Sequence, residues 1–215
     1  MAEPEAPKLT LYEAGTSRSA RCRWALAEAG LEAECVTTRP GSDEAKAVHP
    51  LGKLPVLAVG DGEGRTLIFE SAAIVTFICD LAASKGNRHI IGTAGTVARA
   101  AHDQWCSFAV CELDAHLWHT FLQRFQPEDK KFDCSEQDKQ FWRRGGAVLE
   151  LHLADKPFMG GSDFSATDCV VGWSVNWARR SGLLAANDDG AEPFPNISAY
   201  CARLLARPLC PLAKD

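Results

Sequence analysis

Over the first 84 residues the period of the apolar positions switches repeatedly. Lys8 to Tyr12 alternates polar and apolar side chains and reads as a short strand. From Ser17 to Gly30 the period lengthens, with Ala20, Trp24, Ala27 and Leu31 at helical spacing and Gly30 as a stop signal. Glu34 to Thr38 reads as a second strand, followed by a short helical or irregular stretch. Leu54 to Val59 and Thr66 to Phe69 are strands joined by Gly60-Asp61-Gly62-Glu63-Gly64, a hairpin signal. Ile74, Phe77, Ile78 and Leu81 then mark one apolar face of a helix. The first strand–helix–strand unit is expected to be right-handed and to lay its second strand parallel to its first.

Past the Gly- and Asn-containing stretch from Ser84 to Thr93, strand signals nearly vanish. Thr96 to Phe125 is a long helical pattern carrying Trp105, Phe108 and Trp118, ended by Pro127. Ser135 to Leu153 is another, with Phe141, Leu149 and Leu153 among its apolar positions. Ser165-Ala166-Thr167-Asp168 has the spacing of a capping box, with Phe164 and Cys169 placed as a hydrophobic staple. Behind it, Val170, Val171, Trp173, Val175 and Trp177 occupy several faces, which marks a buried central helix. A last helix runs from about Ile197 to Ala206 and stops at Pro208. The fold class is therefore α+β: a small mixed domain over residues 1–84, a linker over 85–94, and an all-helical domain over 95–215.

Composition narrows the function. The 23 Lys and Arg against 28 Asp and Glu give a net charge of −5, which argues against nucleic acid or an anionic membrane surface as the main partner. No apolar run approaches the ~18 residues of a membrane span, and Met1 to Lys8 has no signal-peptide core. The nine cysteines include no C-x-x-C pair, so a dithiol redox centre and a zinc ribbon are unsupported. Cys22, Cys79, Cys169 and Cys201 fall inside apolar helical patterns as small core residues. A reducing, cytoplasmic compartment follows.

Three stretches carry candidate chemistry. Gly15-Thr16-Ser17-Arg18-Ser19 places hydroxyls at a helix start, where they serve as caps or donate to an anion such as a thiolate. Lowering a free thiol from ~8.5 to ~6.5 takes about 2.7 kcal/mol. One hydrogen bond to a charged group, at about 1.5–3 kcal/mol, plus a helix terminus, at about 0.3–1, suffices without a metal. In His49-Pro50-Leu51-Gly52-Lys53-Leu54-Pro55, Pro55 opens a strand, either trans at an edge or cis with the Leu54 backbone offered to a peptide. Lys53 is either solvated or the partner of a ligand carboxylate. In Phe69-Glu70-Ser71, Ser71 is an N-cap, and a helix start bearing a hydroxyl also suits a carboxylate, with Glu70 suited to an ammonium. Together these describe a ligand with an amino-acid head, a central peptide unit, a thiol and a terminal carboxylate, as in glutathione.

Other residues have plainer readings. His102, Cys106, His116 and His119 are scattered His and Cys on an amphipathic helix and read as packing or solvated groups, so no metal is expected. Trp105 and Phe108 have the spacing of core residues and also stand as candidates for lining an electrophile pocket. Arg18, Arg21 and Arg23 are expected to be solvated or paired with acidic surface residues.

Over nearly its whole length the chain resembles a cytosolic glutathione S-transferase of a serine-type, bacterial- or fungal-like class. Thr16 to Trp24 is similar to the superfamily's first-helix motif, His49 to Pro55 to its cis-proline loop, and Glu70-Ser71 to its γ-glutamyl site. Phe164 to Asp168 resembles its second-domain capping box and Leu205-Ala206-Arg207-Pro208 its closing segment. The resemblance implies a thioredoxin-like first domain, an all-α second domain, usually a homodimer, and a cis bond before Pro55. It also implies catalysis by Ser17 or Thr16, glutathione as co-substrate held by Lys53, Leu54, Pro55, Glu70 and Ser71, and a small apolar electrophile. There are departures. Counting back from Arg21 puts the usual catalytic hydroxyl on Thr16, while Ser17-Arg18-Ser19 matches related bacterial-type sequences and favours Ser17. His49 stands where the family usually has Asn. Arg18 and Thr16, where other branches carry cysteine, disfavour the maleylacetoacetate isomerase and omega branches. The rival expectations are a non-catalytic transferase-fold module, as in translation-factor subunits, and a glutathione-dependent peroxidase, isomerase or dehalogenase.

Overall fold

The structure is a computed structural model that describes residues 7–186, 190 and 192–214. It divides into two units: the described residues up to Ile91 with 211–214, and residues 92–210. The final turn, Pro211–Lys214, therefore belongs with the first unit rather than with the helices that precede it.

The first unit is built on one sheet of β1 (Leu9–Glu13), β2 (Glu34–Thr37), β3 (Val56–Val59) and β4 (Thr66–Phe69), in the order β2-β1-β3-β4. β1 and β2 are parallel, with Leu11 opposite Cys35, as the strand–helix–strand pattern requires. β3 lies antiparallel to both β1 and β4. β3 begins at Val56 rather than Leu54, because Leu54 and Pro55 stay outside the ladder. The connections carry α1 (Ser19–Ala29), α2 (Asp43–Val48) and α3 (Ser71–Ser84). α1 ends in a left-handed Gly30 at φ 68°, and Leu31 N–H returns to Leu26 O at 3.0 Å, the arrangement a glycine permits. Leu11, Trp24, Leu57, Ile74 and Ile78 are fully buried and join the sheet to α1 and α3. At the far end of α1 the buried Glu28 carboxylate accepts from Trp24 Nε1 (3.2 Å) and Arg88 Nη1 (3.1 Å).

The second unit contains α4 (Val97–Phe108), α5 (Ala115–Leu122), α6 (Ser135–His152), α7 (Ala166–Arg180) and α8 (Pro195–Leu205). Thr96 caps α4 by accepting from Arg99 N–H at 3.3 Å. The helix expected over Thr96 to Phe125 is interrupted by a π-helical turn at Ala109–Asp114 and closes with a 3₁₀ turn at Gln123–Phe125. Gly145 of α6 backs onto this turn. A Cβ there would lie 2.9 Å from the Glu112 carbonyl oxygen, so only glycine lets α6 come this close. Of the apolar positions read for α6, Leu149 and Leu153 are buried as expected and Phe141 is not. Phe141 is 39% exposed, while Trp142 is fully buried with its ring 5.6 Å from Phe194.

α7 is the buried centre, with Val170, Val171, Trp173 and Val175 all buried. Its N-terminus carries the expected capping box. Asp168 Oδ2 accepts from the N–H and hydroxyl of Ser165, both at 2.8 Å, and Oδ1 accepts from Met159 N–H and Tyr200 Oη–H, both at 2.9 Å. Burial pushes the Asp168 carboxyl up, and hydrogen bonds from Met159, Ser165 and Tyr200 pull against it. One carboxylate thus joins the loop before α7, its first turn and α8.

Two predictions follow from this packing. Asp168→Ala strands these four donors in the interior, at about 1–3 kcal/mol each when unpaired, so a loss of at least about 4 kcal/mol is expected. It would register as a lower denaturant midpoint at unchanged slope. Gly145→Ala raises helix propensity by about 1 kcal/mol yet is expected to destabilise by about 1–3 kcal/mol, because the new methyl meets backbone. A higher melting temperature for Gly145→Ala would contradict the close approach.

Candidate functional site

Strand direction decides what can meet. β1 and β4 run one way and β3 the other, and the register sets Tyr12 opposite Val56 and Val56 opposite Phe69. The segment after β1, the segment before β3 and the segment after β4 therefore leave the same end of the sheet. These are the three stretches that carry Thr16 and Ser17, Lys53 to Pro55, and Glu70 and Ser71. Two strand spacings separate the outer pair, about 10 Å, close to the ~10 Å span of an extended tripeptide.

The loop after β1 turns at Gly15 and Thr16, closed by Ser17 N–H to Ala14 O at 3.1 Å. α1 begins at Ser19, two residues later than the apolar pattern suggests, with Arg18 at the cap position. Ser17 Oγ accepts from Ser19 N–H at 3.2 Å and lies 3.0 Å from Ser19 Oγ, which in turn accepts from Ala14 N–H at 3.2 Å. Ser17 is half-buried and Thr16 exposed. Arg23 pairs with the Glu13 carboxylate and donates to Gly15 O at 3.0 Å, which fixes the loop.

In the second stretch the Leu54–Pro55 bond is cis. Among the described residues the Leu54 N–H and C=O make no hydrogen bond. Lys53 is exposed and has no ion pair among the described residues. The loop is held by a residue that sequence reasoning left without a role. His49 is buried, accepts from Leu51 N–H at Nδ1 (3.0 Å) and meets Phe69 edge-on at 4.8 Å. Gly52, at φ 59°, passes against Gly41, whose N–H donates to Gly52 O at 2.9 Å.

In the third stretch Glu70, not Ser71, occupies the cap position of α3, and Ser71 is the first helical residue. Glu70 is exposed and has φ 71°, the single positive φ among the described non-glycine residues. Such a conformation costs about 1–3 kcal/mol and persists where surroundings impose it, often at ligand sites. Ser71 Oγ is buried and accepts from Arg21 Nη1 at 3.1 Å, while Cys22 Sγ–H reaches Ser71 O at 3.9 Å. Arg21 therefore overturns the surface expectation. It is 0% exposed and ties the start of α1 to the start of α3. A buried arginine within a mostly apolar helix carries no distinctive sequence signal. Burial also pushes the Cys22 thiol far up, so this neighbouring sulfur stays protonated.

In the helical unit Trp105 is nearly buried, with its ring 5.3 Å from Phe108 and 4.3 Å from His152, while Phe108 is half-buried. His102 and Cys106 serve packing: His102 Nδ1 lies 2.9 Å from Thr167 Oγ1, joining α4 to α7. A different set can hold a metal. His119, Cys134 and Asp138 offer ligand atoms all within 4.8 Å of one another.

Comparison with known proteins agrees with this architecture. Residues 17–81 match the glutathione S-transferase N-terminal domain and 136–203 the glutathione S-transferase C-terminal domain. The chain is 25% identical to glutathione S-transferase GstA of Escherichia coli O157:H7 over 166 residues, covering 77% of this chain and 74% of that one. It is 27% identical to a probable elongation factor 1-gamma 2 of Arabidopsis thaliana over 167 residues, which is 78% of this chain but 38% of that protein. The chain thus spans little more than a third of such relatives. A Pseudomonas fluorescens glutathione transferase family member, solved with two glutathione bound, superposes with a TM-score of 0.78 at 22% identity, covering 99% of this chain and 94% of that one. With both family domains matched in order, on a thioredoxin-like sheet followed by helices, the chain belongs to the glutathione S-transferase superfamily.

Proposed function

We propose that this protein is a glutathione transferase that binds glutathione at the open end of its sheet and activates the thiol with a hydroxyl at the start of α1. The observation that carries the reading is Glu70. A charged residue is held at positive φ on the cap of α3, beside a buried Ser71 hydroxyl. Ser71 Oγ accepts from Arg21, which leaves its own proton to donate to the γ-glutamyl carboxylate. The α3 terminus adds its dipole at the same point, and the Glu70 carboxylate faces the ammonium. The Leu54 N–H and C=O pair with the cysteinyl unit as an added strand does, and Lys53 meets the terminal carboxylate.

The sulfur then falls at the α1 loop. Ala14 N–H donates to Ser19 Oγ and the Ser17 and Ser19 hydroxyls lie 3.0 Å apart; with Ser19 donating to Ser17, the Ser17 proton is left for the thiolate. Thr16, exposed on the same loop, is the second candidate. Trp105 and Phe108 are the candidate apolar contacts for the electrophile. The reading includes a homodimer in a reducing, cytoplasmic setting, and the nine free cysteines fit that setting.

The pH profile of conjugation tests the mechanism. Removing a hydrogen bond that favours the thiolate raises the thiol pKa, so activity moves to higher pH. Ser17→Ala is expected to shift the rising limb alkaline by about 1–2 units, the equivalent of about 1.5–3 kcal/mol, and Ser19→Ala by less. Unchanged profiles in Ser17→Ala and Thr16→Val would remove both hydroxyls from the chemistry. Glu70→Gln is expected to raise the KM for glutathione about tenfold, one charge-assisted bond's worth, with the fold intact by circular dichroism. The elongation factor relatives favour a second reading, a binding module without catalysis. Retention on immobilised glutathione with no conjugation of any electrophile tried would select it.

A further inference from the structure

The helical unit holds a cluster that the transferase reading does not use. His119 comes from α5, and Cys134 stands at the cap of α6 with Asp138 one turn later, so thiol and carboxylate share a face. His119 Nδ1 is 3.1 Å from both Asp138 oxygens, and Thr120 Oγ–H donates to Asp138 Oδ2 at 2.6 Å. His116, one turn before His119, brings Nδ1 to 4.0 Å from Asp138 Oδ1, its ring stacked on Phe141 at 5.2 Å.

Two observations go beyond a hydrogen-bonded helix contact. Asp138 is buried, and among the described residues the basic side chains within ion-pair distance of it are the two imidazoles, with no lysine or arginine. A buried carboxylate is ordinarily paired with a charge or bound to a metal. The second is the sulfur. Cys134 is buried in the same group, 4.0 Å from Thr120 Oγ1 and hydrogen-bonded through its thiol to Asp138, so sulfur, imidazole and carboxylate converge on one point. Two imidazoles, a thiol and a carboxylate are the donor types zinc takes, at about 2.0–2.3 Å each, which sets ligand atoms roughly 3.3–3.8 Å apart in a tetrahedron. Against that spacing, His119 Nδ1 stands 3.1 Å from the Asp138 oxygens and the ligand atoms of His119, Cys134 and Asp138 all lie within 4.8 Å, while His116, outside that group, reaches 4.0 Å from Asp138 and has to turn inward to ligate.

We propose that His119, Cys134 and Asp138, completed by His116, bind one divalent cation of the zinc class and clip α5 to the start of α6. With four protein ligands the site is closed and structural, leaving no position for a substrate. On binding, the Cys134 thiol releases its proton to solvent and coordinates as thiolate.

The full chain, stripped by chelation and titrated with Co²⁺, tests this. One equivalent should produce a cobalt–thiolate charge-transfer band with tetrahedral d–d bands, and Zn²⁺ should displace it. Zn²⁺ should also raise the melting temperature of the wild type. Losing even an outer-shell partner costs about 10–100-fold in affinity, so Cys134→Ser and His119→Gln should each weaken binding at least about tenfold, and Cys134→Ser should abolish the charge-transfer band. His119 has a side chain 47% exposed, so His119→Gln keeps the test open if Cys134→Ser fails to fold. Cys111→Ser, at an exposed thiol, should change nothing. Absence of the band, its persistence in Cys134→Ser, or its loss only in Cys111→Ser would overturn the proposal.

Discussion

A buried guanidinium ties the first unit's functional parts together. Arg21 is completely enclosed and donates to the Ser71 hydroxyl, so the starts of α1 and α3 are held against each other. Enclosing that charge costs several kcal/mol of hydration, and the surrounding fold has to supply it. A positive group beneath a helix N-terminus adds to the terminus's own positive end. That field favours the carboxylate which the proposed function places at Ser71.

Around this tie the sheet does the sorting. Because β3 runs against β1 and β4, the loop before it opens at the end where the other two strands finish. Strand direction brings a hydroxyl turn, a peptide unit with no hydrogen bond among the described residues and a positive-φ helix cap to one edge, where the proposed tripeptide would span them. His49 and Gly52 hold the middle loop in place, and Arg23 with Glu13 holds the first.

Much of this was legible from residue order. Period changes located all four strands, Gly30 stopped α1, and Ser165 with Asp168 marked the start of α7. Errors arose where tertiary context outweighs local pattern. Helical spacing cannot reveal a π turn, so the run through Ala109–Asp114 read as one helix. Phe141 and Trp142 are adjacent aromatics, and only packing against Phe194 selects the inner one. A cap signal at Ser71 was off by one because Glu70 adopts a conformation its residue type disfavours. The histidines at 116 and 119 were weighed with partners on their own helix. Yet His119 meets Cys134 and Asp138, and His116 meets Asp138, at the next helix, which spacing along one helix does not report.

The central claim is that this sheet end holds glutathione with its sulfur at the α1 loop. A crystal structure of the protein soaked with glutathione tests it most directly. The account predicts the γ-glutamyl carboxylate on Ser71 and the α3 N–H groups, the ammonium at Glu70, and sulfur within hydrogen-bond reach of Ser17 or Thr16. Tripeptide bound elsewhere, or bound here with its sulfur away from both hydroxyls, would contradict it.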